Sequence, residues 1–285
     1  MNDLSQTKNT NDSPVSAVSR RQFLGRTALV GAGVAVAPFL ISESARARGL
    51  VKPPSPAAQK KVGAEAAQQV LRKYRVVSDE RARYFEEVGR RLVDALPRQE
   101  QQTWDFNFRV LDSKELNAFA LPGGPMFLFT GLFERFESED AVAAVTGHEM
   151  MHVRGQHWAR AYARQQERGL LLGLGLSILK GGRGAQTLAG LADQVIGLKY
   201  GRGEEDEADK GGLQNLVAAS YNPEGMIQLF ATLQKAGGGG RGLGGDFLSS
   251  HPLTSDRIKR TQERIAQMPD RSFRSLTPLR YSRLR

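Results

Sequence analysis

The chain has 285 residues, of which 40% are hydrophobic and 25% charged, and this length is enough for one enzyme-sized domain with a sizeable core. It contains no cysteine, which excludes disulfides, thiolate metal ligands, a cysteine nucleophile and lipid attachment through an N-terminal cysteine. The net charge of +10 does not indicate nucleic-acid binding, because the basic residues are mostly scattered arginines interleaved with acids and no nucleic-acid motif accompanies them.

Residues 1–47 have the composition of a disordered head followed by an export signal. Arg20 and Arg21 precede a weakly apolar stretch over residues 27–41, which ends in small residues at 45–47. The arginine pair resembles a twin-arginine translocation signal, so we expect export to the bacterial periplasm. An uncleaved membrane anchor or an ordinary amphipathic arm is the alternative, although the apolar stretch is shorter than the roughly 20 residues that a span needs. The basic chain is also compatible with loose association with an anionic membrane surface.

Behind the signal, residues 48–56 form a proline-rich linker, residues 57–270 the predicted folded domain and residues 271–285 a basic tail. The tail is expected to fray or to lie on the surface. Helical periodicity predicts two helices between residues 57 and 96, and Ser78 is expected to cap the second one.

The next stretch alternates in hydrophobicity and predicts three short strands. They cover residues 103–110, 117–121 and 125–130, and their order along the chain predicts a small meander. The edge of such a sheet can pair with an extended peptide, but the sequence does not tell which strand forms the edge. A simple core hairpin is the alternative.

The motif His148-Glu149-Met150-Met151-His152 follows an apolar run over residues 141–146. On a helix, its two histidines lie one turn apart on one face with Glu149 beside them. Two neutral imidazoles at this spacing can hold one Zn²⁺, and the intervening glutamate can take a proton from the metal-bound water. A third ligand must come from elsewhere. The alternatives are a chance match and a pair of buried core histidines.

Ser138, with acidic residues after it, predicts the start of this helix, which we expect to continue to about Gln165. On a continuous helix His157 would point about 140° away from His152 and could not reach the same metal. The position ten residues after His148, which a metzincin ligand would occupy, is Trp158. We therefore expect a structural or supporting role for His157.

An apolar run with many glycines follows over residues 169–184. It is too short to span a bilayer, so it predicts a buried helix or a flap near a cleft. A surface that touches a membrane or a client protein is the alternative.

An acidic helix is predicted over residues 202–220, in which Glu205 and Asp209 share one face and Ala208 allows close helix packing. A solvated surface is the ordinary explanation for so many acids. The spacing also suits Glu205 as a metal ligand with Asp209 behind it, accepting the free N–H of a ligating histidine.

Taken together, three motifs resemble a known family. The motifs are His148-Glu-x-x-His152, Arg202-x-x-Glu205-x-x-Ala208-Asp209 and Ser250-His251-Pro252. They stand in the same order here as in the family of zinc metallopeptidases that includes the CAAX prenyl endopeptidases, the HtpX-type heat-shock proteases and the periplasmic BepA- and LoiP-like proteases. The strand segments 117–124 and 130–132 are similar to that family as well. The resemblance covers about residues 60–268.

The resemblance implies an α+β, mainly helical gluzincin fold with a small β-sheet next to the motif helix. It implies one Zn²⁺ per chain, held by His148, His152 and Glu205, with Glu149 as general base. It also implies that His251 lies on a loop near the zinc, either as an inhibitory fourth ligand or as a stabiliser of the tetrahedral intermediate, with glycines over residues 237–245 allowing the loop to move. A plain helix-entry role before Pro252 is the alternative for His251.

The sequence thus predicts an exported zinc endopeptidase whose partners are misfolded or unfolded polypeptides. Unlike in the BepA-like proteases we expect no tetratricopeptide array, and unlike in the prenyl and heat-shock proteases we expect no long transmembrane helices, which leaves client recognition, membrane placement and oligomeric state open. A catalytically latent chaperone or assembly factor on the same fold is the first alternative, and the same protease tethered by its N-terminal segment is the second.

Overall fold

The computed structural model describes residues 51–171, 190–237, 245–268, 273 and 275–279. The predicted export signal, most of the apolar 169–184 segment and most of the glycine-rich 237–245 segment lie outside these residues. Among the helices of the described residues, none combines the length and the hydropathy that a membrane crossing requires.

The described elements follow one another as helices interrupted by one small sheet, which confirms the predicted mainly helical α+β class. The helices before and within the sheet region are α1 (Pro56–Lys73), α2 (Glu80–Asp94), α3 (Arg98–Thr103) and α4 (Thr130–Phe133), and the strands are β1 (Asn107–Leu111), β2 (Ala118–Ala120) and β3 (Pro125–Phe129). The remaining helices are α5 (Glu139–Arg154), α6 (His157–Leu171), α7 (Leu191–Ile196), α8 (Arg202–Ala218), α9 (Glu224–Gly237), α10 (Gly245–Ser250) and α11 (Ser255–Ala266).

The sheet is not the meander that the sequence predicts. Its strand order is β1-β3-β2, with β1 parallel and β2 antiparallel to the central β3. A parallel pair needs a crossover, and here the chain makes it through β2 itself, a connection that alternating hydrophobicity does not encode. The outer side of β1 is partly covered by residues 75–77, through Val77 N–H to Val110 O and the bridge from Val76 to Leu111. The short β2 therefore forms the open edge, and it packs on α5.

Two predicted boundaries are wrong for local reasons. Residues 98–103 form a helix after Pro97, so the first strand begins only at Asn107. Asp79, rather than Ser78, caps α2, because its carboxylate accepts the N–H of Arg81 at 2.9 Å. Aspartate and serine are equally good caps, so adjacent candidates compete on backbone geometry alone.

The motif helix α5 lies in the centre of the molecule. Ser138 caps it as predicted by accepting the N–H of Ala141 at 3.1 Å, and nearly every residue of the helix is buried. It crosses α8 at a point where both helices carry glycine: a Cβ on Gly147 would lie 3.3 Å from Gly212 O, and one on Gly212 would lie 3.1 Å from His148 N. The fully buried Ala208 lies one turn before Gly212 on α8. Small residues on this face let the two backbones approach closely and bring the two predicted halves of the site together.

The helix predicted to run from residue 141 to 165 is broken. It ends at Arg154 with Gly155 as its C-terminal cap, and Gln156 takes a left-handed conformation with φ of 53° before α6 starts at His157. The Gln156 side chain accepts a hydrogen bond from Gln59 of α1 at 2.9 Å, which holds the corner in place. The direction of the chain therefore changes between His152 and His157.

The described part of the C-terminal tail is bonded to the start of α5 and does not fray. Glu139 N–H donates to Thr277 O at 2.9 Å, Leu279 N–H donates to Glu137 O at 3.2 Å, and Thr277 N–H donates to the carboxylate of Asp140 at 2.7 Å. Leu279 is buried in the main core. Residues 275–279 thus fix the N-terminal end of the motif helix.

Candidate metal centre

The side chains of His148, His152, Glu205 and His251 meet at one buried point. Each contributes one nitrogen or oxygen, and these four atoms lie within 4.8 Å of one another. His148 and His152 come from adjacent turns of α5, Glu205 from the first turn of α8, and His251 from the residue after α10. The structure therefore brings together the residues that the sequence and the resemblance named as ligands or as neighbours of the ligands.

The spacing of these atoms fits a tetrahedral ion. With bonds of about 2.0–2.1 Å to nitrogen and oxygen, the ligand atoms of tetrahedral zinc are separated by about 3.3–3.4 Å. Nε2 of His148 lies 3.1 Å from Nε2 of His152 and 3.4 Å from Nδ1 of His251. The Glu205 carboxylate lies 2.9 Å from Nδ1 of His251 and 3.6 Å and 3.7 Å from Nε2 of His148 and His152.

Asp209 and Arg257 fix the first of these histidines. Nδ1 of His148 lies 3.0 Å from Asp209, so its proton points to the carboxylate and Nε2 is left with its lone pair toward the centre. Arg257 of α11 donates to both oxygens of Asp209 at 2.8 Å and 2.7 Å, lies 2.6 Å from Glu205, and donates to Pro252 O at 3.0 Å. Burial by itself raises the pKa of Asp209, but the hydrogen bonds from Arg257 and His148 outweigh it and lower the pKa to about 2.

The second histidine is held differently. Nδ1 of His152 lies 2.7 Å from Nδ1 of His157, and its ring stacks on Tyr200 with centroids 4.1 Å apart. Burial lowers the pKa of His152 well below its usual range. Burial, helped by the charge of Arg160, also lowers the pKa of His157 to about 4. Both rings are therefore neutral at physiological pH, which is the form that ligates a metal or accepts a hydrogen bond.

Glu149 lies beside the centre with one oxygen held and one free. Oε2 accepts the N–H of Ala120, from the open edge of β2, at 3.0 Å. Oε1 is buried without a hydrogen-bond partner and lies 3.5 Å from Nε2 of His251. Burial raises the pKa of this carboxyl against the pull of His251 and His148. A buried carboxylate with a raised pKa and an unused oxygen is suited to accept a proton.

His251 occupies the position between Glu205 and Glu149. Its ring stacks on Phe247 of α10 with centroids 4.7 Å apart and lies 5.4 Å from the ring of Tyr200. Burial alone lowers the pKa of His251, but the facing carboxylates of Glu149 and Glu205 outweigh it and raise the pKa. The aromatic neighbours and the carboxylates together fix this side chain within reach of the centre.

The buried charges of the cluster fit a divalent cation. Glu149, Glu205 and Asp209 are at most 3% exposed, and their carboxyl groups share the guanidinium of Arg257, which is 6% exposed. Uncompensated buried charge is costly, and a divalent cation would offset the excess of carboxyl groups. Nitrogen and carboxylate donors in a tetrahedral arrangement match the ligands that zinc prefers.

Two members of the cluster were missed by sequence reasoning or misplaced by it. Arg257 is one of 40 basic residues, and nothing in its local pattern marks it as buried. The predicted continuous helix puts His157 on its far side, whereas the break at Gly155 turns the His157 ring onto His152. Gly155, three residues after the motif, is the one local signal in the sequence that favours a break there.

Comparison with known proteins gives a family and several relatives. Residues 79–265 match the model of peptidase family M48. The Beta-barrel assembly-enhancing protease of Yersinia pestis is 33% identical over 173 residues, which cover 57% of this chain and 35% of that protein. The protein of the same name from Escherichia coli strain K12 is 33% identical over 172 residues, which cover 57% of this chain and 35% of that protein.

A third relative comes from a eukaryote. The Mitochondrial metalloendopeptidase OMA1 of Arabidopsis thaliana is 34% identical over 154 residues, which cover 53% of this chain and 30% of that protein. The chain thus matches about a third of the length of these relatives.

Proposed function

Because this chain belongs to peptidase family M48, as its resemblance to zinc metallopeptidases predicted, we propose that it is a zinc-dependent endopeptidase. One Zn²⁺ per chain would be held by His148, His152 and Glu205, with Glu149 as general base. The observation that carries the proposal is the convergence of the four donor atoms beside the free Oε1 of Glu149. The protease and metalloendopeptidase names of the relatives support the same reaction.

The chemistry divides between the ion and the chain. Zinc, when bound, polarises the scissile carbonyl and makes water more acidic. Glu149 takes the proton of the attacking water at Oε1 and gives it to the leaving amine. The N–H of Ala120 holds the other carboxylate oxygen, so that Oε1 stays directed at the reacting atoms. Asp209 keeps the proton of His148 on Nδ1, away from the centre.

The open edge of the sheet supports an extended polypeptide as the substrate. In β2, the main chain of Phe119 is paired with Phe127 of β3, so the peptide groups of Ala118 and Ala120 face away from the sheet, and the N–H of Ala120 donates to Glu149. A substrate strand added at this edge would place its main chain beside the general base. Binding through main-chain hydrogen bonds tolerates many sequences, which suits unfolded or misfolded proteins.

The proposed setting is protein quality control in the bacterial periplasm. It is supported by the arginine pair at residues 20–21 and by the relatives named for β-barrel assembly. The mature chain keeps a basic balance that suits loose contact with an anionic membrane surface.

Metal analysis combined with proteolysis tests the reaction. Purified protein should contain one zinc per chain and should cleave casein and an unfolded outer-membrane protein, and a chelator should abolish this cleavage. Glu149→Gln should bind zinc and fold normally but lose peptidase activity, typically by a factor of about 10²–10⁴ for a lost general base. Full activity in that variant would show that Glu149 is not the base.

A latent chaperone or assembly factor is the second candidate, and the position of His251 favours it. Nδ1 of His251 lies among the donor atoms, 2.9 Å from Glu205 and 3.4 Å from His148, where it would complete the coordination and block the open position that catalytic zinc needs. His251→Ala separates the possibilities: activity rises if His251 is an inhibitory ligand, and falls if it stabilises the tetrahedral intermediate. If both the wild type and His251→Ala prevent the aggregation of unfolded clients and neither cleaves them, the protein is a chaperone.

The tethered form of the enzyme is tested by the mature N-terminus. Mass spectrometry of the protein from its native host should find a start near residue 48 if the signal is removed. An intact N-terminal segment in the membrane fraction supports the anchor.

A further inference from the structure

The break after the motif helix creates a contact that a continuous helix could not make. Gln156, with its φ of 53°, turns the chain so that the fully buried ring of His157 faces His152. Gly155 provides the space, because a Cβ at that position would lie 2.4 Å from Nε2 and 2.7 Å from Cδ2 of His157. The turn at Gln156 and the missing side chain of Gly155 therefore together allow the imidazole of His157 to contact that of His152.

The protons of the two rings can be assigned from their surroundings. Nε2 of His152 faces Nε2 of His148 and the Glu205 carboxylate, so it must carry the lone pair if His152 is a ligand. A neutral His152 then carries its proton on Nδ1, and the group 2.7 Å from that atom is Nδ1 of His157. For His157 to accept this proton, its own proton must lie on Nε2.

Glu207 stands where that second proton points. Nε2 of His157 is buried and makes no hydrogen bond of good geometry, but Oε2 of Glu207 lies 3.3 Å away. The same oxygen accepts a hydrogen bond from Nη2 of Arg160 at 2.7 Å. This hydrogen bond favours the ionised form of the Glu207 carboxylate. Glu207 lies on α8, two residues after Glu205, so the ligand and this supporting carboxylate are fixed by the same helix.

We propose that His157 is a positioning residue that fixes the tautomer and the ring orientation of His152, and that Glu207 in turn fixes His157. This inference rests on the proposed function, since it takes His152 as a metal ligand. The two ligating histidines are then supported in different ways: His148 directly by Asp209, and His152 through a second imidazole by Glu207. Neutral support of this kind leaves His152 a weaker base than a direct carboxylate would.

A matched pair of substitutions tests the proposal in the full-length protein. His157→Leu removes the acceptor at similar volume, whereas His157→Asn keeps an acceptor, Oδ1, near the position of Nδ1. Zinc affinity is measured by competition with a chromophoric chelator, and the tautomers are measured by ¹⁵N NMR of the histidine side chains. The signals can be assigned because the chain has only four histidines. Neither measurement depends on peptidase activity.

We expect His157→Leu to bind zinc about 10–100-fold more weakly than the wild type, and His157→Asn to recover most of that loss. The wild-type spectrum should show His152 protonated on Nδ1. Equal affinity of the Leu variant and the wild type, or a His152 proton on Nε2, overturns the proposal. If His157→Leu does not fold, Glu207→Ala and Glu207→Gln are compared instead. We expect Glu207→Ala to lose more zinc affinity than Glu207→Gln. Equal zinc affinities of these two variants overturn the proposal.

The two proposals can fail separately. A wild-type protein that binds no zinc overturns the proposed function together with this inference. A protein that binds zinc with the predicted tautomer and the predicted loss in His157→Leu, but cleaves no polypeptide, overturns the proposed function alone.

Discussion

Removal of the Arg257 side-chain charge is expected to cost more stability than any surface change in this protein. Arg257 donates two hydrogen bonds to Asp209, contacts Glu205 at 2.6 Å and is 6% exposed. Arg257→Met fills a similar volume but leaves two buried carboxylates, those of Glu205 and Asp209, without their cation. Breaking a buried ion pair in this way costs about 3–5 kcal/mol. In a domain of this size that corresponds to a fall of roughly 6–20 °C in melting temperature.

Urea unfolding in the presence of a chelator measures this cost, because bound zinc then adds nothing to the stability. Arg260→Met is the matched control on the same helix: Arg260 pairs with Asp206 at 3.2 Å with 45% and 28% of the two side chains exposed, so its loss should cost less than about 1 kcal/mol. Arg257→Lys keeps the charge but loses the two-pronged geometry and should fall between the two. An Arg257→Met protein no less stable than Arg260→Met would show that the buried guanidinium does not stabilise the fold.

Three further perturbations have defined outcomes. Gly155→Ala should displace the ring of His157 and weaken zinc binding in the chelator competition. Gly203→Ala is the control, because its Cβ would meet nothing within 4 Å and zinc affinity should stay unchanged. Equal zinc affinities of the two variants would contradict the close contact between Gly155 and His157. Leu279→Ala should lower the free energy of unfolding by about 2–5 kcal/mol in urea, since Leu279 is 2% exposed, and a loss below 1 kcal/mol would mean that the tail is not docked in solution. Asp79→Ala should cost about 1 kcal/mol at pH 7 through the lost cap. The hydrogen bond from Arg81 lowers the pKa of Asp79 from 3.8 in the folded protein. The stability that the ionised Asp79 contributes is therefore present above pH 3.8 and is lost as the pH falls below it. The difference in free energy of unfolding between the wild type and Asp79→Ala should thus be smaller at low pH than at pH 7.

The parts of the site that lie close in sequence could be predicted from the sequence. The spacing of His148 and His152 on one helical turn, and of Glu205 and Asp209 on another, follows from helix geometry alone, and the structure places each pair on one face. The joining of the two pairs came from the resemblance to a family. Periodicity says which face of a helix is buried, but not which other helix covers that face.

The parts that could not be predicted depend on single backbone angles or on tertiary position. The turn at Gln156 changes one φ angle and thereby moves His157 from the far side of the helix to direct contact with His152. The crossover that makes β1 and β3 parallel leaves no trace in alternation, since each strand has the same local pattern in either topology. Arg257 resembles every other arginine of an amphipathic helix until the carboxylates on α8 are placed beside it.

The crossing of α5 and α8 explains why such scattered residues form one centre. Contact at Gly147 and Gly212 lets the two backbones approach more closely than any larger side chains would allow, and this approach sets Glu205 within 3.7 Å of both motif histidines. Close approach also buries three carboxylates against one another, which only a compensating charge makes tolerable. Arg257 supplies one positive charge from α11, and a divalent ion would offset the carboxylates that remain. The small residues at the crossing and the buried arginine are therefore as much a part of the proposed metal centre as the histidines, although neither is a proposed ligand.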